Sequence, residues 1–202
     1  MRWLGLLLIW CISSDVLAGE LFLIPEDTPK PVYPRALHRA GISGEVRVGF
    51  TVQADGSVDR VRILQSVHPD LSAVSKKAIE QWRFKPWTVS KEKPAELEII
   101  APMQFHLDDP TGLNQWLKEV KCREINPDFA RTADYQWVDL AAFRYTRAYL
   151  SSGFFQHQWT TQERLAMIAR LNKQAHMIAR RCLDYPASRF VRFLPEEIRK
   201  VL

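Results

Sequence analysis

Val46, Val48, Phe50 and Val52 alternate with Glu45, Arg47, Gly49, Thr51 and Gln53, a period of two that commits the stretch to a strand with one face in a core. Asp55-Gly56 follows, a dipeptide suited to the positive φ of a tight hairpin turn. Beyond it Val61 and Ile63 alternate with Arg60 and Arg62, so the spacing predicts a β-hairpin over residues 44–66. An isolated hairpin is marginal in water. The chain must therefore supply further strands or a covering helix.

Both are legible nearby. A short helix is expected from Pro34, whose missing N–H costs nothing at that position, to a C-cap at Gly41, with Ala36, Leu37 and Ala40 inward. A second helix is expected to be capped by Asp70, with Leu71, Val74, Ala78 and Trp82 on one face, before Pro86 prevents continuation. Leu97, Ile99, Ala101, Met103 and Phe105 then alternate with other residues, predicting a third strand near Glu96 to His106. The expected fold is α+β: a small antiparallel sheet with two helices over residues 34–107.

From residue 108 the pattern turns helical, giving an all-α C-terminal region over 108–202. Leu113, Trp116, Leu117 and Val120 form one stripe past Pro110, and Trp137, Leu140, Ala141, Ala148 and Tyr149 suggest another before Gly153. Thr160 and Glu163 match a capping box for a long helix with Leu165, Ile168, Ala175, Ile178 and Cys182 inside and Arg164, Arg170, Lys173 and Arg181 outside. A short terminal helix is expected from Pro195.

The first residues read as an export signal. Arg2 precedes an apolar run from Trp3 to Ile12, and Val16-Leu17-Ala18 is a small-residue cleavage site, so residues 1–18 are expected to be a signal peptide. The run is shorter than the roughly 20 residues that span a bilayer, and Asp15 interrupts any extension. Trp10 is too bulky to precede a lipidated cysteine at Cys11. Residues 19–33 form a lead-in in which Pro25, Pro29 and Pro31 favour an extended backbone.

Cleavage after Ala18 leaves Cys122 and Cys182 in an oxidising compartment, where a disulfide is the natural expectation and two separate buried thiols the alternative. The bridge would tie the first helical segment of the C-terminal region to the third. The net charge of +5 is unchanged by cleavage, because the leader carries one Arg and one Asp. A mildly basic exported protein of this kind requires no nucleic-acid partner.

These residues together resemble the TonB carboxy-terminal domain. The segments that carry the resemblance are Pro31-Val32-Tyr33-Pro34, then Gly44 through the alternating valines to Asp55-Gly56, then Ala78-x-x-x-Trp82-Arg83-Phe84-x-Pro86, within about residues 29–107. In that family the domain takes up an extended segment of an outer-membrane receptor, the TonB box, as an added strand. The resemblance implies a partner-binding edge at Leu97, Ile99, Ala101, Met103 and Phe105, with Lys30, Tyr33 and Pro34 beside it. Lys30 stands where the best-known members carry a glutamine, and Pro102 cannot donate to a ladder.

The resemblance further implies a periplasmic protein of a Gram-negative bacterium whose partner is a TonB-dependent outer-membrane receptor. Family transducers carry an inner-membrane helix and a long Pro-rich spacer. With a cleaved leader the expected protein is instead a soluble relative that binds; a retained leader makes it an inner-membrane transducer. The alternative of another class is a periplasmic adaptor acting through the helical region.

Enzymatic chemistry is not expected. No Gly-x-Ser-x-Gly, Gly-rich phosphate loop or paired carboxylates stand out. His38, His68, His106, His157 and His176 are scattered, with neither His-x-x-x-His nor Cys-x-x-Cys, so no metal or cofactor is assigned. Trp82, Phe84 and Trp87 read as core, and the basic run from Arg180 to Lys200 reads as a solvated face.

Overall fold

A computed structural model of the chain describes residues 23–107, 112–152 and 159–202. The expected signal peptide with Cys11, and Pro110, Gly153 and His157, lie outside the described residues.

The elements of the first half are β1 (Pro25–Asp27), α1 (Arg35–Ala40), β2 (Gly44–Gln53), β3 (Val58–Ser66), α2 (Pro69–Ile79), β4 (Arg83–Phe84) and β5 (Glu96–Phe105). β2 is the centre of a three-stranded antiparallel sheet ordered β3-β2-β5. Val46, Val48, Phe50 and Val52 are all buried, as the alternation requires, and they pack with Leu71 and Ile79 of α2. Phe50 meets Trp82 edge-on at 5.6 Å and Phe84 in a stack at 6.5 Å, which places these aromatics in the core cluster.

The hairpin turn is fixed by Gly56. Its φ is +83°, and a Cβ there would lie 1.9 Å from the Phe84 carbonyl oxygen. The close approach exists because the Phe84 N–H donates to the Gly56 carbonyl at 3.0 Å and the Trp87 N–H to the Ala54 carbonyl at 2.9 Å. The segment after α2 is thereby laced along the hairpin tip. β4 then pairs with β1, so part of the Pro-rich lead-in is a strand.

Several local expectations are corrected. Asp70 does not cap α2: His68 does, with Nδ1 accepting from the Asp70 N–H at 3.1 Å, and Pro69 opens the helix. The helix closes at Ile79 with Glu80 as C-cap, so Trp82 reaches the core from beyond it. In α1 only Leu37 is buried and Ala36 is exposed, because six residues are too short to present a full stripe. Pro34 is the N-cap and Gly41, at φ +73°, the C-cap.

The second half contains α3 (Leu113–Glu119), α4 (Cys122–Arg131), a 3-10 helix (Asp134–Asp139), α5 (Ala141–Ser151), α6 (Thr161–Asp184), a short 3-10 turn (Phe190–Phe193) and α7 (Glu196–Val201). The Thr160–Glu163 capping box is present at the start of α6. Trp137 lies in the 3-10 helix rather than in α5. α4 buries Cys122, Ile125 and Phe129 at spacings of three and four, but Pro127 in its interior masks it in the sequence. Its first N–H groups are satisfied by a distant segment, Cys122 donating to the Ser188 carbonyl at 2.8 Å and Arg123 to that of Pro186 at 2.9 Å. Cys122 is bonded to Cys182 at the same place, across a sequence separation of 60.

Two hydrophobic clusters result, one under the sheet and one among the helices. Tyr33 packs against both. The halves are also joined by Arg39, whose guanidinium grips Asp139 in a fork with Nε–Oδ1 at 2.6 Å, and whose carbonyl accepts from Asn172 Nδ2 at 2.6 Å.

Candidate partner-binding edge

β5 pairs with β2 in continuous register from Gly44–Phe105 to Gln53–Glu96. Among the described residues it pairs with no other strand. One step beyond that register the Ala54 N–H donates to the Ala95 carbonyl at 2.8 Å. Because antiparallel bonds alternate in direction, Leu97, Ile99, Ala101, Met103 and Phe105 direct their backbone groups inward to β2. Glu96, Glu98, Ile100, Pro102 and Gln104 turn theirs toward the open margin. Among the described residues each of those five carries an acceptor without a strand partner, and all but Pro102 a donor.

Side chains follow the same parity. Met103 and Phe105 are buried, and Leu97, Ile99 and Ala101 are half-buried against the core beneath the sheet. The five residues singled out from sequence therefore hold β5 in place, while the five between them face the open margin. The parity depends on which side of β2 the strand β5 occupies, and no residue pattern within β5 carries that information.

On the sheet's exposed face the margin is held by charge pairs that cross β2. Arg62 reaches Glu98 at 3.0 Å and Arg60 pairs with Glu96 in this way, while Gln104 bonds Glu45 of β2 itself. Gly49 permits the first crossing, since a Cβ there would lie 3.3 Å from Arg62 Nε. Ile100 remains 55% exposed on this face.

A groove of about 350 Å³ opens at the C-terminal end of β5, lined by Lys30, Pro31, Tyr33 and residues 102–106. It brings together four of the residues named from sequence, Lys30, Tyr33, Met103 and Phe105, but not Pro34, Leu97, Ile99 or Ala101. Lys30 is exposed at its mouth. The Tyr33 hydroxyl is already used, donating to the Ile42 carbonyl, and its ring stands edge-on to Phe105 at 5.4 Å. Burial pushes its pKa up to about 12, so it remains a protonated donor at any physiological pH.

Among the described residues no group of three or more His, Cys, Asp or Glu converges as for a metal ion. No described helix is long and apolar enough to cross a membrane.

Comparison with known proteins finds relatives for the first half of the chain. Residues 29–107 match the family model described as Gram-negative bacterial TonB protein C-terminal. Protein TonB of Pseudomonas aeruginosa is 40% identical over 57 residues, which cover 28% of this chain and 17% of that protein. Protein TonB of Xanthomonas campestris pv. campestris is 35% identical over 79 residues, covering 39% of this chain and 35% of that protein. The match thus spans about a third or less of the length of these relatives. A solution NMR structure of the Pseudomonas aeruginosa TonB CTD aligns with 46% of this chain and 94% of its own, at 30% identity and a TM-score of 0.39. Through residues 29–107, this chain belongs to the TonB C-terminal domain family.

Proposed function

We propose that this chain is a binding protein of the Gram-negative periplasm that takes up an extended segment of a partner protein as a fourth strand beside β5. The partner class is a TonB-dependent outer-membrane receptor, and the binding serves transport across that membrane. The observation that supports the reading most directly is the open margin of β5. Its outward N–H and C=O groups are a template for pairing with another chain. From Glu96 to Ile100 the margin is uninterrupted, while Pro102 withholds one donor further along.

The groove beside Lys30 and Tyr33 lies at the end of that margin and offers a side-chain pocket to the same segment. The charge pairs on the exposed face hold Glu96 and Glu98 against β3, so affinity would come mostly from backbone bonds. The test is photo-cross-linking of the full chain from position 100 in Gram-negative cells that make such receptors. Adducts with a periplasm-facing segment of a receptor are expected. Absence of any adduct from position 100, with adducts from surface positions of α6, would replace this reading by an adaptor acting through its helices.

A further inference from the structure

We propose that the cleft between the two halves of the chain is a binding site for a small oxyanion, a carboxylate or phosphate carried on a compact molecule. The cleft holds about 390 Å³, and its walls come from both units: Tyr33, Arg35 and His38 on one side, Asp139, Leu140 and Arg144 on the other. That volume falls within the few hundred cubic ångströms usual for small-ligand sites, and junctions between packed units are a preferred place for them.

The charge balance selects the ligand. Asp139 is the one carboxylate among the described lining residues, and the Arg39 fork already occupies both of its oxygens. Arg35 and Arg144 line the same space, and Arg147 lies fully buried behind it, bonded to the Val138 carbonyl at 2.9 Å and to Asn172 Oδ1 at 3.0 Å. The charges of Arg39, Arg147 and Arg35 act on the Asp139 carboxylate, and Arg144 lines the same space. Arg35 makes no ion pair or hydrogen bond among the described residues and acts on Asp139 only through space. A cation-rich cleft of this kind favours an anion that accepts charge-assisted hydrogen bonds. The Tyr33 ring and Leu140 supply apolar wall, and the Tyr33 hydroxyl, committed to Ile42, is not a donor to the ligand.

A molecule seated there touches α1 from the first half and the 3-10 helix and α5 from the second, so binding would tighten the junction that Arg39 and Asp139 make. The site is distinct from the β5 margin, and the inference stands whether or not a strand is taken up there.

Calorimetric titration of the full chain with inorganic phosphate and, separately, with citrate at fixed ionic strength tests the proposal. Saturable binding of one equivalent is expected for at least one of the two, and the stronger probe distinguishes phosphate from carboxylate recognition. Arg35→Gln should weaken it about tenfold or more, the scale of one charge-assisted contact, and Arg35→Glu should remove it. Lys173→Gln, an equally basic change on the outer face of α6, should leave it untouched. Failure of both probes to saturate, or equal weakening by Lys173→Gln, would overturn the site and mark the effect as general charge screening. Because Arg35 is exposed and carries no described contact, neither variant threatens the fold.

Discussion

Gly56 combines two requirements that any other residue would violate together, a left-handed φ and a backbone oxygen within bonding range of its missing Cβ. Gly56→Ala should therefore lower stability by roughly 2–4 kcal/mol in urea denaturation, as strain and overpacking add. Asp139 offers a second test at this scale. The hydrogen bond from Arg39, helped by the charges of Arg39, Arg147 and Arg35, holds its carboxyl below the usual carboxylate range against an opposing effect of burial. A depressed folded value means the contribution is fully present above the ordinary carboxylate pKa of about 4 and is lost as pH falls through the lower value. Acid titration followed by hydrogen exchange should show α1 loosening from the helical half in that window. Asp139→Asn should loosen it at neutral pH and flatten the acid response.

Strand β5 illustrates how much an element's role depends on its neighbour. Its existence and length follow from alternation alone, and the expected span of Glu96 to His106 matches the observed Glu96–Phe105 closely. Which of its residues face a partner follows from the ladder. Proline substitution separates the two parities. Ile100→Pro removes an outward donor and leaves every bond to β2 intact, so the melting temperature should barely move. Ile99→Pro removes a bond to β2 and should cost on the order of 2–3 kcal/mol. If strand addition occurs at this margin, Ile100→Pro should reduce capture of the partner segment at least tenfold while circular dichroism stays unchanged. Equal capture by Ile100→Pro and the parent chain would place the interface elsewhere.

Across the whole molecule, the two cores are stitched by Arg39, Asp139 and Asn172 and share Tyr33. The helical half has its own staple. Cys122 and Cys182 join the start of α4 to the last turn of α6, where the chain at Pro186 and Ser188 also satisfies the first N–H groups of α4. Closing a loop of this length contributes roughly 4 kcal/mol on the chain-entropy estimate. Cys122→Ser with Cys182→Ser should lower the thermal transition of the helical half strongly and that of the sheet little. Calorimetry on the full chain would resolve the two. A single shared shift would show that the junction makes the halves one cooperative unit.

The sequence alone carried the hairpin, the third strand, the start of α6 and the family segments, because each rests on periodicities, turn chemistry and caps that act over a few residues. It could not carry the β1–β4 pairing, α4 with its internal proline, or the cap at His68, since these depend on partners far along the chain or on a ring in an unusual role. It pointed to β5, which the fold leaves at the edge of the sheet, and named the residues that hold that strand down. Only the tertiary structure decided which backbone groups look outward, because in an antiparallel sheet that choice belongs to the side on which a strand docks.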